Sequence, residues 1–148
     1  DESQGQFSPD GRWVAYVSNE TGRYEIYVRP FPDASGKWQV STAGGIYPRW
    51  RLDEHELFYI GLDNRLMAVQ IDLGTATRMV TLRTPVALFP TRLATAGNNG
   101  IAGYAARPQY AVAADGRFLM NVAADDVTPP INVVQNWQED LKRLVPTK

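Results

Sequence analysis

The sequence predicts an all-β chain of about three four-stranded antiparallel units, and three observations carry that prediction. The first is the turn Ser8-Pro9-Asp10-Gly11, which runs straight into the apolar stretch Trp13-Val14-Ala15-Tyr16-Val17. The second is that this turn and strand return twice in degraded form: Asp53-Glu54 leads into Glu56-Leu57-Phe58-Tyr59-Ile60, and Asp115-Gly116 leads into Phe118-Leu119-Met120. The third is the interval, since the acidic turns fall at positions 10, 53 and 115, which are 43 and then 62 residues apart. A period of about 40–45 residues with four strands per unit marks a propeller blade, so the longer second interval carries an insertion.

Each element follows from local chemistry. Proline presets φ for the second turn position, Asp bonds its own backbone two residues on and Gly accepts positive φ, so the chain reverses at 8–11. Residues 13–17 are aromatic, β-branched or small, which suits a strand covered on both faces. Asn19-Glu20-Thr21-Gly22 interrupts them too early for a helix. Tyr24-Glu25-Ile26-Tyr27-Val28 reads as the second strand of a tight hairpin, and Pro30 and Pro32 end it. Residues 37–42 form a third strand, followed by the turn Ala43-Gly44-Gly45. Strand 46–50 leads into the second acidic turn, and strands 56–60 and 65–71 form a hairpin across Leu62-Asp63-Asn64. Residues 80–82 and 86–89 flank Pro85 and offer that unit's outer strand. The third unit has strands at 109–112, 117–122 and 131–134.

The units therefore span approximately 1–42, 43–89 and 108–136, with an insertion loop at 90–107. Within the insertion, Ala94-Thr95-Ala96-Gly97-Asn98-Asn99-Gly100 lacks apolar periodicity, and such insertions form rim loops that often bind ligands. Trp137, Leu141, Leu144 and Val145 at i, i+4, i+7 and i+8 predict a short helix over 137–145. Glu139, Asp140, Lys142 and Arg143 face away from that stripe, so the helix either covers the last unit or offers a partner-binding face.

Composition removes several functional classes. The 148 residues fit one domain with a real core, supported by 4 Trp, 7 Tyr and 5 Phe. Lys and Arg number 15 against 16 acidic residues, a net charge of −1 that gives no electrostatic case for nucleic acid or an anionic membrane surface. No apolar run approaches the roughly 18 residues needed to span a bilayer, so a soluble chain without membrane insertion is expected. With no cysteine, disulfides and cysteine metal sites are excluded. The chain begins with Asp inside what should be an inner strand, the pattern of a processed product or a piece of a larger protein.

The Ser8-Pro9-Asp10-Gly11 turn and its strand resemble the WD-like repeat of TolB-type six-bladed β-propellers. The resemblance is stronger still to the C-terminal propeller domains of certain bacterial transmembrane serine/threonine protein kinases. Pro30-Phe31-Pro32, Gly36-Lys37-Trp38-Gln39-Val40-Ser41, Pro48-Arg49-Trp50-Arg51 and Glu56-Leu57-Phe58-Tyr59 carry it, as does the ending Ile131-Asn132-Val133-Val134-Gln135-Asn136-Trp137. The chain departs from the repeat at Arg51-Leu52 and Ala113-Ala114, where Ser-Pro is replaced, and at Glu54, where Gly is replaced. The resemblance implies half of a six-bladed ring around a channel, used for protein contacts or small-ligand sensing in an extracytoplasmic (periplasmic or cell-surface) setting. Kinase motifs are absent from the chain itself. Three units cannot close a ring, and unpaired edges template association. A homodimer of two half-rings, or the rest of a longer protein, is expected to complete it.

Tyr47, Arg49 and Arg51 alternate along an inner strand and should share one face, with Pro48 and Trp50 on the other. There they offer bidentate binding of a carboxylate or phosphate, unless the arginines pair with nearby acids while Trp50 packs between units. Asn98, Asn99, Tyr104 and Arg107 form a second polar cluster on the insertion, a binding loop or a plain connection. His55, the only histidine, lies between Glu54 and Glu56, a poor zinc set that fits a surface turn better. Adjacent Asp125 and Asp126 point in opposite directions on an extended chain and read as a solvated loop. The repeated Asp10, Asp53 and Asp115 read as turn formers, since one catalytic site has no use for three copies. No Gly-x-Ser-x-Gly nucleophile turn occurs. No cofactor or metal is expected. A non-enzymatic binding scaffold is the leading reading, with a hydrolase, or a propeller accompanying one, as the alternative.

Overall fold

The computed structural model describes residues 1–33, 35–74, 80–93 and 108–122. Among these the chain is all-β, in three antiparallel sheets of four, five and two strands. Strands β1 (Glu2–Phe7), β2 (Trp13–Ser18), β3 (Glu25–Pro30) and β4 (Trp38–Gln39) lie side by side in chain order. The second sheet repeats this order with β5 (Ile46–Trp50), β6 (Glu56–Ile60), β7 (Arg65–Leu73) and β8 (Val80–Leu82). Its fifth strand, β9 (Val86–Pro90), also pairs with β7. β10 (Tyr110–Val112) and β11 (Phe118–Met120) open the third sheet. The arrangement is consistent with half of a propeller ring. The expected strand 131–134, helix 137–145 and loop residues 94–107 lie outside the described residues.

β8 and β9 are two segments of one outer course. β8 runs beside Ile71–Leu73 and β9 beside Arg65–Ala68, both antiparallel to β7. Between them Arg83 still donates its N–H to the Gln70 carbonyl at 3.0 Å. Pro85, which has no N–H, divides the ladder. The outer strand expected on both sides of Pro85 is therefore present. The third strand of the first unit is shorter than 37–42: only Trp38 and Gln39 pair as a strand. One step beyond, Val40 still donates its N–H to the Ile26 carbonyl at 2.8 Å, but the return bond from the Ile26 N–H goes to the Ser41 hydroxyl at 2.8 Å.

The acidic turns share one hydrogen bond. In each, the Asp Oδ1 accepts the backbone N–H two residues on, from Arg12 at 2.9 Å, His55 at 3.1 Å and Arg117 at 3.2 Å. The β6–β7 hairpin uses the same device, with Asp63 accepting from Arg65 at 3.2 Å. Glu54 holds φ at 63° where the first turn has Gly11 at 71°. That departure from the repeat has a use, because Glu54 accepts the Asp10 N–H at 2.5 Å and ties neighbouring turns together. The third turn is one residue shorter, since Val112 pairs with Phe118 whereas Phe7 pairs with Val14 and Trp50 with Leu57.

Successive sheets stack face to face. One core joins Trp13, Ala15, Val17, Ile26 and Val28 of the first sheet to Trp50, Leu57, Tyr59, Val69 and Ile71 of the second. A second core joins Tyr47, Phe58, Ile60 and Leu66 to Tyr110, with Phe118 and Met120 packed against it. Alternation along β6 explains both cores: Leu57 and Tyr59 point one way, Phe58 and Ile60 the other. Both faces of the middle sheet are thereby covered.

Candidate functional site

The inner strands carry the residues singled out for binding. β1 and β5 both bulge, between Ser3 and Gln6 and between Ile46 and Arg49, and Gln4 and Tyr47 each hold φ at 57°. The paired bulges bring one strand's side chains to the other's backbone. The Gln4 Oε1 accepts the Tyr47 N–H at 2.6 Å, and the Trp50 indole donates to the Gln6 carbonyl at 3.1 Å. From the third sheet, the buried Tyr110 hydroxyl donates to the Tyr47 carbonyl at 2.8 Å.

Tyr47 and Arg49 come together at Tyr110. Arg49 lies 5.9 Å from the Tyr110 ring centroid and donates to the carbonyls of Pro48 at 2.8 Å and Tyr110 at 3.4 Å. Among the described residues it pairs with no carboxylate. Burial lowers its pKa, which the nearby Tyr110 partly offsets. Burial likewise raises the hydroxyls of Tyr47 and Tyr110 and holds Tyr59 near 12. These phenols are donors at neutral pH.

Arg51 does not join that pair. It lies beyond the end of β5 and meets Glu56 at 2.7 Å and Asp53 at 3.1 Å. Trp50 faces the first sheet, packed in the core between units. The alternative of acid-paired arginines around an interunit Trp50 thus describes Arg51 and Trp50, while Arg49 meets no acid among the described residues. Asn98, Asn99, Tyr104, Arg107, Asp125 and Asp126 lie outside the described residues. His55 sits on the exposed second turn, its N–H held by Asp53 and its carbonyl by the Ile71 N–H at 3.0 Å. No three His, Asp or Glu side chains among the described residues are placed to hold a metal ion.

Sequence reasoning passed over Glu25. Its buried carboxylate at the start of β3 accepts the Ser41 hydroxyl, the Gly44 N–H at 2.9 Å and the Arg23 Nε at 2.9 Å. This network fixes the segment that leads from the first sheet to the second. Gly45 there has no room for a side chain, since a Cβ would lie 2.8 Å from both Ile26 and Tyr59. A glutamate amid apolar strand residues, followed by Ser41 and Gly44-Gly45, was the available signal.

Asp10 gives the turns a measurable signature. Burial opposes its ionisation, but hydrogen bonds from the Ser8 hydroxyl and from the Arg12 backbone and side chain outweigh it and lower the pKa from 3.8 to about 2. A carboxylate lowered on folding stabilises the protein above its unfolded pKa and loses that contribution as pH falls through the folded one. Between about pH 4 and pH 2, wild type should therefore lose about 0.5–1 kcal/mol more than Asp10→Asn, after allowance for solvent screening. Parallel acid titrations of denaturant midpoints check this.

No family model and no curated protein matches the chain. The functional reading therefore rests on the residues themselves.

Proposed function

We propose that this chain is a half-ring of a six-bladed, TolB-type β-propeller that acts as a non-enzymatic binding or sensing scaffold. A second copy completes the ring; the alternative source of the missing units is the rest of a longer protein. The carrying observation is how exposure changes at repeated positions. Phe7 and Trp50 are counterparts on the same face of their sheets; Trp50, packed against the first sheet, is 9% exposed and Phe7 is 58% exposed. Ala15, Phe58 and Leu119 face the following unit, and their exposures are 0%, 4% and 77%. Among the described residues, the side chains that fill the internal interfaces are thus exposed on the first and third sheets.

The two ends are also complementary. The third sheet offers Leu119 in the role that Ala15 and Phe58 play inside the chain, and the first offers Phe7 and Val14 in the role of Trp50 and Leu57. Two copies related by a two-fold axis bring each offered face to the one that receives it. An open cleft of about 410 Å3, lined by Val14, Tyr16, Arg29 and Phe31 among others, marks the receiving face. For the scaffold reading, the support is that Arg49, set beside the Tyr110 ring and bonded to the Pro48 and Tyr110 carbonyls, meets no carboxylate among the described residues. Leu119→Asp tests the closure: it should shift assembly to monomers in sedimentation while far-ultraviolet circular dichroism is unchanged. An unchanged mass would remove Leu119 from the interface.

A further inference from the structure

A separate polar cleft of about 400 Å3 lies on the second sheet, where β7 and β8 meet the acidic turn. Its construction follows from register. Asp72 pairs directly with Thr81, and one step along Arg83 donates its N–H to the Gln70 carbonyl at 3.0 Å. Alternation then sets Gln70, Asp72, Thr81 and Arg83 on one face as a two-by-two array. His55 stands at the lip, and the mutually paired Arg51 and Glu56 form the wall.

Charge in this cleft is divided unequally between the wall and the floor. Arg51 is satisfied by Glu56 and Asp53. Asp72 and Arg83, both exposed, form no ion pair among the described residues, and the side chains of Gln70, Thr81 and His55 make no hydrogen bond there. One anion and one cation thus remain open on a single face, as diagonal neighbours with Cβ atoms on the order of 7–8 Å apart. Among the described residues that line the cleft there is no Phe, Tyr or Trp, so it lacks the broad stacking platform that a sugar ring or base would use.

We propose that this cleft binds a small zwitterion, an amino acid or short peptide carrying both a free ammonium and a free carboxylate. The ligand carboxylate takes the Arg83 guanidinium in a two-pronged pair. Its ammonium takes Asp72, while Thr81 and Gln70 hydrogen-bond the backbone between. Because one unit supplies the whole cleft, the site stands whether or not the ring closes. Exposed charge pairs are individually weak, so affinity near the millimolar range is expected, about −4 kcal/mol.

The test is a titration of the isotope-labelled full chain with glycylglycine, followed through backbone amide resonances. Saturable shifts should centre on residues 70–72 and 81–83. N-acetylglycine, which lacks the ammonium, and glycinamide, which lacks the carboxylate, should each bind about tenfold more weakly, a loss of about 1.4 kcal/mol. Asp72→Asn and Arg83→Gln should each weaken glycylglycine by a similar factor while the remaining resonances stay in place. The proposal is overturned by an absence of saturable shifts, by equal responses to the three probes, or by shifts centred on another surface. The probe comparison on the unaltered chain decides the matter even where a variant fails to fold.

Discussion

Replacing Glu25 with alanine should lower the unfolding free energy by about 3–5 kcal/mol. The carboxylate lies inside the first sheet and accepts from Ser41, Gly44 and Arg23. Deleting it leaves a buried N–H and a buried hydroxyl proton without acceptors, at about 1–3 kcal/mol each, and a void beside Ile26. Arg23 is half exposed and falls back on water. Glu25→Gln keeps the volume and one acceptor oxygen, so it should recover about half of the loss. Urea titrations followed by tryptophan fluorescence measure both. A loss below about 1 kcal/mol for alanine would mean that the network does not hold the segment between units.

Trp50→Ala should cost about 3–5 kcal/mol, the range for removing a large buried aromatic side chain. Trp50 fills the core between the first two sheets and bonds the Gln6 carbonyl across it. Its loss undocks the units as well as leaving a cavity. Phe7→Ala is the internal control, because Phe7 holds the same repeat position on the uncovered face. In an isolated chain that substitution should stay within about 0.5 kcal/mol. In a closed dimer, its cost should instead vary with protein concentration. Comparing denaturation midpoints at two concentrations separates the cases.

The repeated turns were legible in the sequence because their chemistry is local. Asp10, Asp53 and Asp115 each reach a backbone N–H only two residues away, so the motif and its geometry are nearly the same object. The outer strand across Pro85 was legible for a similar reason: proline announces where a ladder loses a donor. The bulges at Gln4 and Tyr47 were not legible. A positive φ at a glutamine or tyrosine has no composition signal, and it is held by contacts more than 40 residues apart, such as Gln4 with Tyr47. Arg51 illustrates the consequence of a strand's end. Alternation places it with Arg49, but it lies where the chain already turns and Glu56 is at hand. The cleft at Asp72 and Arg83 depends on register between β7 and β8, which pattern alone leaves open.

The central claim is that the uncovered faces of the first and third units meet in an assembled ring. Light scattering coupled to size exclusion, on the unaltered chain at micromolar concentration, tests it most directly. Two-fold closure predicts a single species with twice the 16.5 kDa chain mass. A monodisperse species at 16.5 kDa would contradict it.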